Sequence, residues 1–303
     1  MKKIFLIALL CFLHGVSGFA PVRADVVRDT YGRTLSWEGV SNVRDLGGLP
    51  AAGGGRLRRG MVFRSQAFNN NAVCSWLTAS RLERKIRDGN LAREFGADNS
   101  AAMVARIGTK DLKKACAQIA AELADGTNHW KRGEARGTPE SRRKIVGETG
   151  LKTEIDLRSP EECWGMEGSP LGPGVKWINI PGVPIGELVT SGGRQFFKRV
   201  FPLFLDERNY PIDFHCIAGA DRTGALAFEL EALLGVSERD MVEDYVLTSL
   251  SSSGRRTKAS FEKMTKAFDA YPGATLNERV EAYARDCGFS STDIAKFRSI
   301  MLE

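Results

Sequence analysis

Cys216 and Arg222 stand with five residues between them in the string His215-Cys216-Ile217-Ala218-Gly219-Ala220-Asp221-Arg222-Thr223-Gly224. A cysteine attacks as its thiolate, and a nearby cation with converging N–H groups lowers its pKa to roughly 3.5–7.5. An arginine presents a planar fork that grips two oxygens of a phosphate, which a lysine cannot do. Attack on phosphorus is the chemistry that suits this pair. Cys216 would be the nucleophile, and the N–H groups of Ile217, Ala218, Gly219, Ala220, Asp221 and Arg222 would surround the equatorial oxygens. Thr223 can donate to the sulfur as it departs. The leaving oxygen needs a proton from a carboxylic acid. Asp221, beside the phosphate position, is the first candidate and Asp156 the second. His215 is read as ordering the loop. The scheme requires no metal and no other cofactor. A bare Cys-x5-Arg spacing is weak, and its bland alternative is an inert core cysteine.

Context separates the two readings. Ile212 to Phe214 is a short apolar run after Asn209-Tyr210-Pro211 and reads as a buried strand. Thr223 to Leu234 carries Leu226, Leu230, Leu233 and Leu234 at helical spacing and closes at Gly235. A tight strand–loop–helix turn aims N–H groups and the positive end of the helix dipole at one point, which suits a phosphate dianion. Further strands are expected at 152–157 and 176–180. Helices are expected at 79–86, 111–123, from Thr138 to about Gly147, at 192–206, from the Ser237 capping box to about Thr248, and near 258–270, 276–287 and 291–302. Interleaved strands and helices define an α/β fold, a mostly parallel central sheet flanked by helices. Asp156 falls near the carboxyl end of its strand, where ligands of open α/β sheets gather. Gly53-Gly54-Gly55 lacks the helix-start pattern of a phosphate loop and reads as a hairpin turn between Leu49 and Leu57.

The string from His215 to Gly224 resembles the cysteine-dependent protein tyrosine phosphatase superfamily, in particular the bacterial tyrosine phosphatases whose loop reads His-Cys-x-x-Gly-Lys-Asp-Arg-Thr-Gly. Asn42-Val43-Arg44-Asp45-Leu46-Gly47-Gly48 with Gly60-Met61-Val62-Phe63-Arg64-Ser65 is similar to that family's opening segment. Thr153 to Ser159 with Glu161 and Glu162 is similar to its central strand, and Asp244 to Ser249 with the helices from Leu276 onward to its C-terminal part. The likeness spans residues 36–68 and about 138–303. It implies a tyrosine-phosphatase-like fold, a cysteinyl-phosphate intermediate and a phosphorylated substrate, either a phosphotyrosine protein or a small phosphate monoester. It also sets Arg44 and Asp45 near the catalytic loop. The family's loop lysine is Ala220 here. A lysine at the rim of the cradle would reach a second phosphate, so alanine implies a preference for phosphotyrosine-like monoesters over phosphoinositides.

Composition narrows the field. The chain has 303 residues, 43% hydrophobic and 26% charged, and a net charge of +6. These are values of a soluble globular protein whose basic balance suits an anionic substrate. Lys2 and Lys3, the apolar run Ile4 to Leu13 and the small residues at Val22-Arg23-Ala24 read as a signal peptide over 1–24. The phosphatase domain then spans 25–303, exported to the periplasm or secreted, with no stable membrane insertion. No nucleic-acid partner is expected. Of three histidines, only His129 and His215 follow the leader, and no Cys-x-x-Cys pair is present, which excludes the common zinc sites. Gly-x-Ser-x-Gly and the P-loop Gly-Lys are absent too.

Residues 69–137 form a helical insertion rich in Arg, Lys, Ala and Asn, read as a lid, a docking surface or a plain packed decoration. Cys74 and Cys116 within it are expected to pair in an oxidising compartment. Other activities fit parts of the pattern: an inositol polyphosphate or phosphoinositide phosphatase, a sulfurtransferase, and a non-catalytic phosphoprotein-binding module. The intact Cys216 and Arg222 argue against the module, and the Asp-Arg-Thr-Gly ending against the sulfurtransferase.

Overall fold

Successive side chains of a strand point to opposite faces, so a strand with apolar residues at every second position needs a core on one side only. In the computed structural model, which describes residues 27–70, 79–89, 101, 105, 112–124, 135–160, 162–163, 166–251 and 253–303, Ile212 to Cys216 is such a strand. It lies at the centre of a five-stranded sheet formed by β1 (Arg44–Asp45), β2 (Val62–Gln66), β3 (Thr153–Asp156), β4 (Lys176–Asn179) and β5 (Ile212–Cys216). The order is β1-β2-β5-β3-β4, with β1 antiparallel at the edge and the other four parallel. Register sets Cys216 opposite Gln66 and His215 opposite Asp156, so the carboxyl ends of three strands converge on the start of the loop from Cys216 to Arg222.

The helices are α1 (Ala79–Arg87), α2 (Leu112–Ala124), α3 (Pro139–Thr149), α4 (Ser191–Phe204), α5 (Arg222–Leu233), α6 (Glu238–Leu247), α7 (Lys258–Thr265), α8 (Leu276–Asp286) and α9 (Ser291–Met301). Ile212, Phe214 and Cys216 face the larger core with Val62, Ile155 and the apolar sides of α4, α5, α8 and α9. On the opposite face Trp37, Val43, Phe63, Phe68 and Ile145 of α3 make a smaller core. The boundaries follow their capping residues. Thr138, Ser237, Thr275 and Ser290 each accept a backbone N–H of the first turn, and Gly150 ends α3 at φ 65. The sequence stripe on α5 understates its position: every residue from Thr223 to Leu233 is buried, because the sheet, α6 and α8 all pack against it. Glu229 and Glu231 are buried with the rest.

The stretch around Gly53 and Gly54, both at positive φ, is the tip of a turn whose arms are joined by Leu57 N donating to Leu49 O at 2.9 Å. At the two ends of the stretch expected as an insertion, Asn69 pairs with Ala135 and Arg136 N donates to Phe68 O at 2.7 Å. Within it α1 and α2 pack on each other, burying Leu82, Cys116 and Ile119. The expected pairing of Cys74 with Cys116 falls on a residue outside those described. Cys116 is a buried free thiol, pushed up by burial and by Glu83 of α1, while Cys74 lies outside the described residues. Residues 1–24 lie outside them as well. Among the described residues no helix is long and apolar enough to cross a membrane.

Candidate active site

The turn from Cys216 to Arg222 is shaped by what holds its carbonyls. His215 Nδ1 lies 3.2 Å from Cys216 O, and Ala67 N donates to Ile217 O at 3.3 Å. Asn42 Nδ2 donates to Ala218 O at 3.1 Å and to Gly219 O at 2.7 Å. Ser253 Oγ adds a second bond to Ala218 O at 3.1 Å, and Arg64 Nη2 one to Gly219 O at 3.0 Å. The carbonyls of Ala220 and Asp221 are taken by the first turn of α5, through Gly224 N and Ala225 N. With its carbonyls drawn away, the turn presents N–H groups to the sulfur, those of Ala218 and Thr223 among them. Gly219 sits at φ 65, and a Cβ there would lie 2.3 Å from Ser65 O, so only glycine fits.

Cys216 is 3% exposed. Burial alone would raise its pKa, yet the Arg222 charge, the Thr223 side chain and these N–H groups together hold it below the ordinary thiol value. The Thr223 hydroxyl is buried and makes no hydrogen bond of ordinary geometry, which leaves the thiolate as the group it stabilises. Arg222 is clamped across its fork: Nη1 donates to Glu162 Oε2 at 2.7 Å and to Leu157 O at 3.1 Å, and Nη2 to Glu162 Oε1 at 3.2 Å. Glu162 is itself fixed by Ser159 N at 2.7 Å.

Beneath the loop lies a buried layer of charge. His215 Nε2 meets Glu154 Oε1 at 2.8 Å, and Glu154 also accepts from Ser169. Burial would discharge His215, but Asp156 and Glu154 outweigh it and push its pKa to about 9. The charged ring therefore donates from both nitrogens, one to Glu154 and one to the Cys216 carbonyl. Asp156 is fully buried, its carboxylate paired with Arg158 at 2.6 Å. Against the burial, Arg158 and His215 hold it at about 2. A carboxyl so strongly ionised has no proton to donate near neutral pH, which speaks against Asp156 as the acid. Glu154, Asp156 and His215 bring three ligand-type atoms within 4.8 Å of one another, but each is already engaged by a protein partner.

Asp221 is 62% exposed at the side chain and accepts from Arg256 Nη2 at 2.7 Å. It is the carboxylate of the loop that solvent reaches. Ala220, in contrast, is only 2% exposed. The rim position inferred for this side chain is corrected by the packing. After the left-handed turn at Gly219 the chain enters α5, and Ala220 is buried at its base. Charge beside Asp221 comes instead from Arg256, far along the chain.

The loop is braced from behind by a charged cluster that the sequence does not announce. Asp244 accepts from three buried arginines, Arg33 Nη2 at 2.7 Å, Arg44 Nε at 2.8 Å and Arg64 Nη1 at 2.5 Å. Burial would raise the Asp244 carboxyl, but the arginines hold it well below the usual range. Burial and the Arg44 charge pull Arg64 down to about 10. Arg44 Nη1 in turn holds Asn42 Oδ1 at 2.5 Å, so Asn42 and Arg64 carry the order of this cluster to the loop carbonyls. Asp45 does not face the loop; it fixes a turn through Gly47 N at 2.7 Å and Gly60 N at 2.8 Å. The signal available in the sequence was the charged residue inside an apolar strand, Arg64 after Val62 and Phe63.

The α/β sheet thus carries a buried cysteine at the carboxyl end of its central strand, with an arginine at the head of the next helix. The family model described as the tyrosine phosphatase family matches residues 35–88 and 133–303, and the chain belongs to that family. The chain is 28% identical over 258 residues to a protein of Cupriavidus necator that bears the name of a tyrosine-protein phosphatase, covering 77% of this chain and 68% of that one. Among solved structures it is similar to the core catalytic domain of the PP-IP phosphatase SIW14 from S. cerevisiae. That likeness is distant, with 17% identity, 48% of this chain and 76% of the other covered, and a TM-score of 0.30. The family match leaves out residues 89–132 but includes 69–88 and 133–137, which the sequence reading assigned to an insertion.

Proposed function

We propose that the chain hydrolyses phosphate monoesters through a cysteinyl-phosphate intermediate, and that its substrates are phosphotyrosine-type proteins. The observation that carries this reading is the placement of buried Cys216 at the end of the central strand with Arg222 opening the next helix, a setting that holds the thiol below its ordinary pKa, Arg222 being the leading cause of the lowering. In the first step the sulfur attacks phosphorus, the bond to the ester oxygen breaks, and that oxygen takes a proton from Asp221. In the second, water attacks phosphorus and gives a proton to the Asp221 carboxylate, the phosphorus–sulfur bond breaks, and the thiolate returns with inorganic phosphate released. Arg222 and the N–H groups hold the three equatorial oxygens, on which charge is spread in the transition state. Phosphotyrosine as the substrate rests on family membership and on the name borne by the relative. Export through the 1–24 leader would place the enzyme in the periplasm or outside the cell.

The test is turnover of para-nitrophenyl phosphate without added metal, followed by vanadate inhibition. Cys216→Ser should lower kcat by about 10³-fold or more, with vanadate still retained by the N–H groups and Arg222. Substantial turnover in Cys216→Ser would rule out the covalent intermediate.

A further inference from the structure

The segment from Ser249 to Lys258 touches the catalytic loop on one side and lines a groove on the other. Ser253 bonds Ala218 O, Arg256 bonds Asp221, and Ser249 Oγ pins the segment by accepting from Arg256 N at 2.7 Å. The groove behind it has a volume of about 620 Å³ and runs between residues 27–30, α6 and the start of α7. Five of its lining side chains are cationic: Arg28, Arg239, Arg255, Arg256 and Lys258. The sole acidic one is Glu243, whose Oε1 is already occupied by Thr30 N at 2.9 Å. Among the described residues Arg28, Arg239 and Arg255 have no ion-pair partner, while Lys258 meets only Glu262 of its own helix, at 3.5 Å. Val242 and Val246 supply apolar surface between the charges.

Unpaired like charges gathered on one concave surface repel one another, and a ligand of opposite sign relieves that repulsion. The groove adjoins the catalytic loop through Arg256, which holds the residue next to Arg222. An extended peptide advances about 3.3–3.6 Å per residue, so a groove of this size takes several residues beside the one in the cradle. We propose that it binds an acidic stretch flanking the phosphorylated residue of a protein substrate, with Asp or Glu side chains on the arginines and apolar side chains on the valines. This rests on the reading of Cys216 as a phosphoprotein phosphatase site, and the experiment separates the two.

Two readouts on the whole protein suffice. The first is kcat/KM for para-nitrophenyl phosphate and for two phosphotyrosine peptides, one with Glu-rich and one with neutral flanks, in wild type and in R239E/R255E. The acidic flank should raise kcat/KM by roughly tenfold in wild type, and the double variant should abolish that gain without changing para-nitrophenyl phosphate turnover. The second is fluorescence anisotropy with an unphosphorylated Glu-rich peptide, which needs no catalysis. Its binding should weaken with salt and be lost in R239E/R255E. Binding without any phosphatase turnover would keep the groove and overturn the catalytic reading. Turnover with no preference for acidic flanks, or a preference that survives R239E/R255E, overturns the groove. Tighter binding of inositol hexakisphosphate or a single-stranded oligonucleotide than of the peptide, through the same arginines, overturns it too. So does peptide binding that appears only when residues 1–26 are removed.

Discussion

A thiol with 3% of its surface exposed should ionise late, yet Cys216 is held below the ordinary thiol value by a cation and oriented dipoles. The sign has a direct consequence. A lowered pKa keeps the thiolate populated as pH falls, so alkylation by iodoacetate should persist well below the pH at which a free cysteine stops reacting. Thr223→Val removes one stabilising hydroxyl and should move the alkylation midpoint up by about 0.5–1 pH unit, the equivalent of one hydrogen bond. An unmoved midpoint would show that the N–H groups and Arg222 suffice alone. If the Asp221 carboxyl protonates the leaving oxygen, Asp221→Asn should hardly slow aryl phosphates with good leaving groups and should slow alkyl phosphates by about 10²-fold or more, since only the latter need the proton. Equal slowing of both classes would take the acid role from Asp221, and the buried, ionised Asp156 could not inherit it.

At the level of elements, β1, the segment before it, β2 and α6 meet at Asp244, and the loop from Cys216 to Arg222 is held from that junction. Removing one carboxylate there strands three buried guanidinium groups. Asp244→Asn should therefore destabilise the fold by about 3–5 kcal/mol, read as a lower urea midpoint. A loss below about 1 kcal/mol would mean that Glu231, buried beside the cluster, takes over the charge. This junction also marks where the sequence stopped being legible. The strand–loop–helix around Cys216, the Ser237 cap and the order of strands and helices could be read because their signals are local, carried by turn residues, periodicity and caps within a few positions. Arg33, Arg64 and Asp244 could not, since their partners lie 180 to 211 residues apart. The same holds for Arg256 on Asp221. Position 220 was misjudged for a related reason: whether a loop side chain faces solvent depends on what the next helix packs against. Asn69 and Ala135, 66 residues apart in the chain, pair with one another, a contact that no local sequence signal announces.

For the whole molecule, the buried titratable groups predict where on the pH scale the fold is strongest. Asp213 is pushed up to about 8 by burial, offset only in part by His215, and Glu229, with neither carboxylate oxygen partnered among the described residues, to about 8 by burial alone. Both are protonated in the folded state at pH 7 and ionised in the unfolded chain, so their contribution is complete below pH about 4 and drains away as pH rises toward 8. His215, raised to about 9 despite its burial, acts in the same direction at higher pH: its contribution is intact below about 6.5 and lost through 9. Asp156, at about 2, and Asp244, lower than usual, act oppositely, stabilising above about pH 3.8 and failing as pH falls through their folded values. The lowered Cys216 thiol acts the other way, but it stands against Asp213, Glu229 and His215, and against Glu231 and Asp45, which burial also raises. Thermal stability should therefore peak near pH 5 and fall steadily to pH 9, a shape that a calorimetric series would resolve. Glu229→Gln isolates one component. It should stabilise the protein at pH 8 by on the order of a few kcal/mol, with the gain shrinking toward zero near pH 4.5. A melting temperature that is flat or rising from pH 5 to 8, or a Glu229→Gln gain that does not depend on pH, would mean that these carboxyls are solvated in the folded protein.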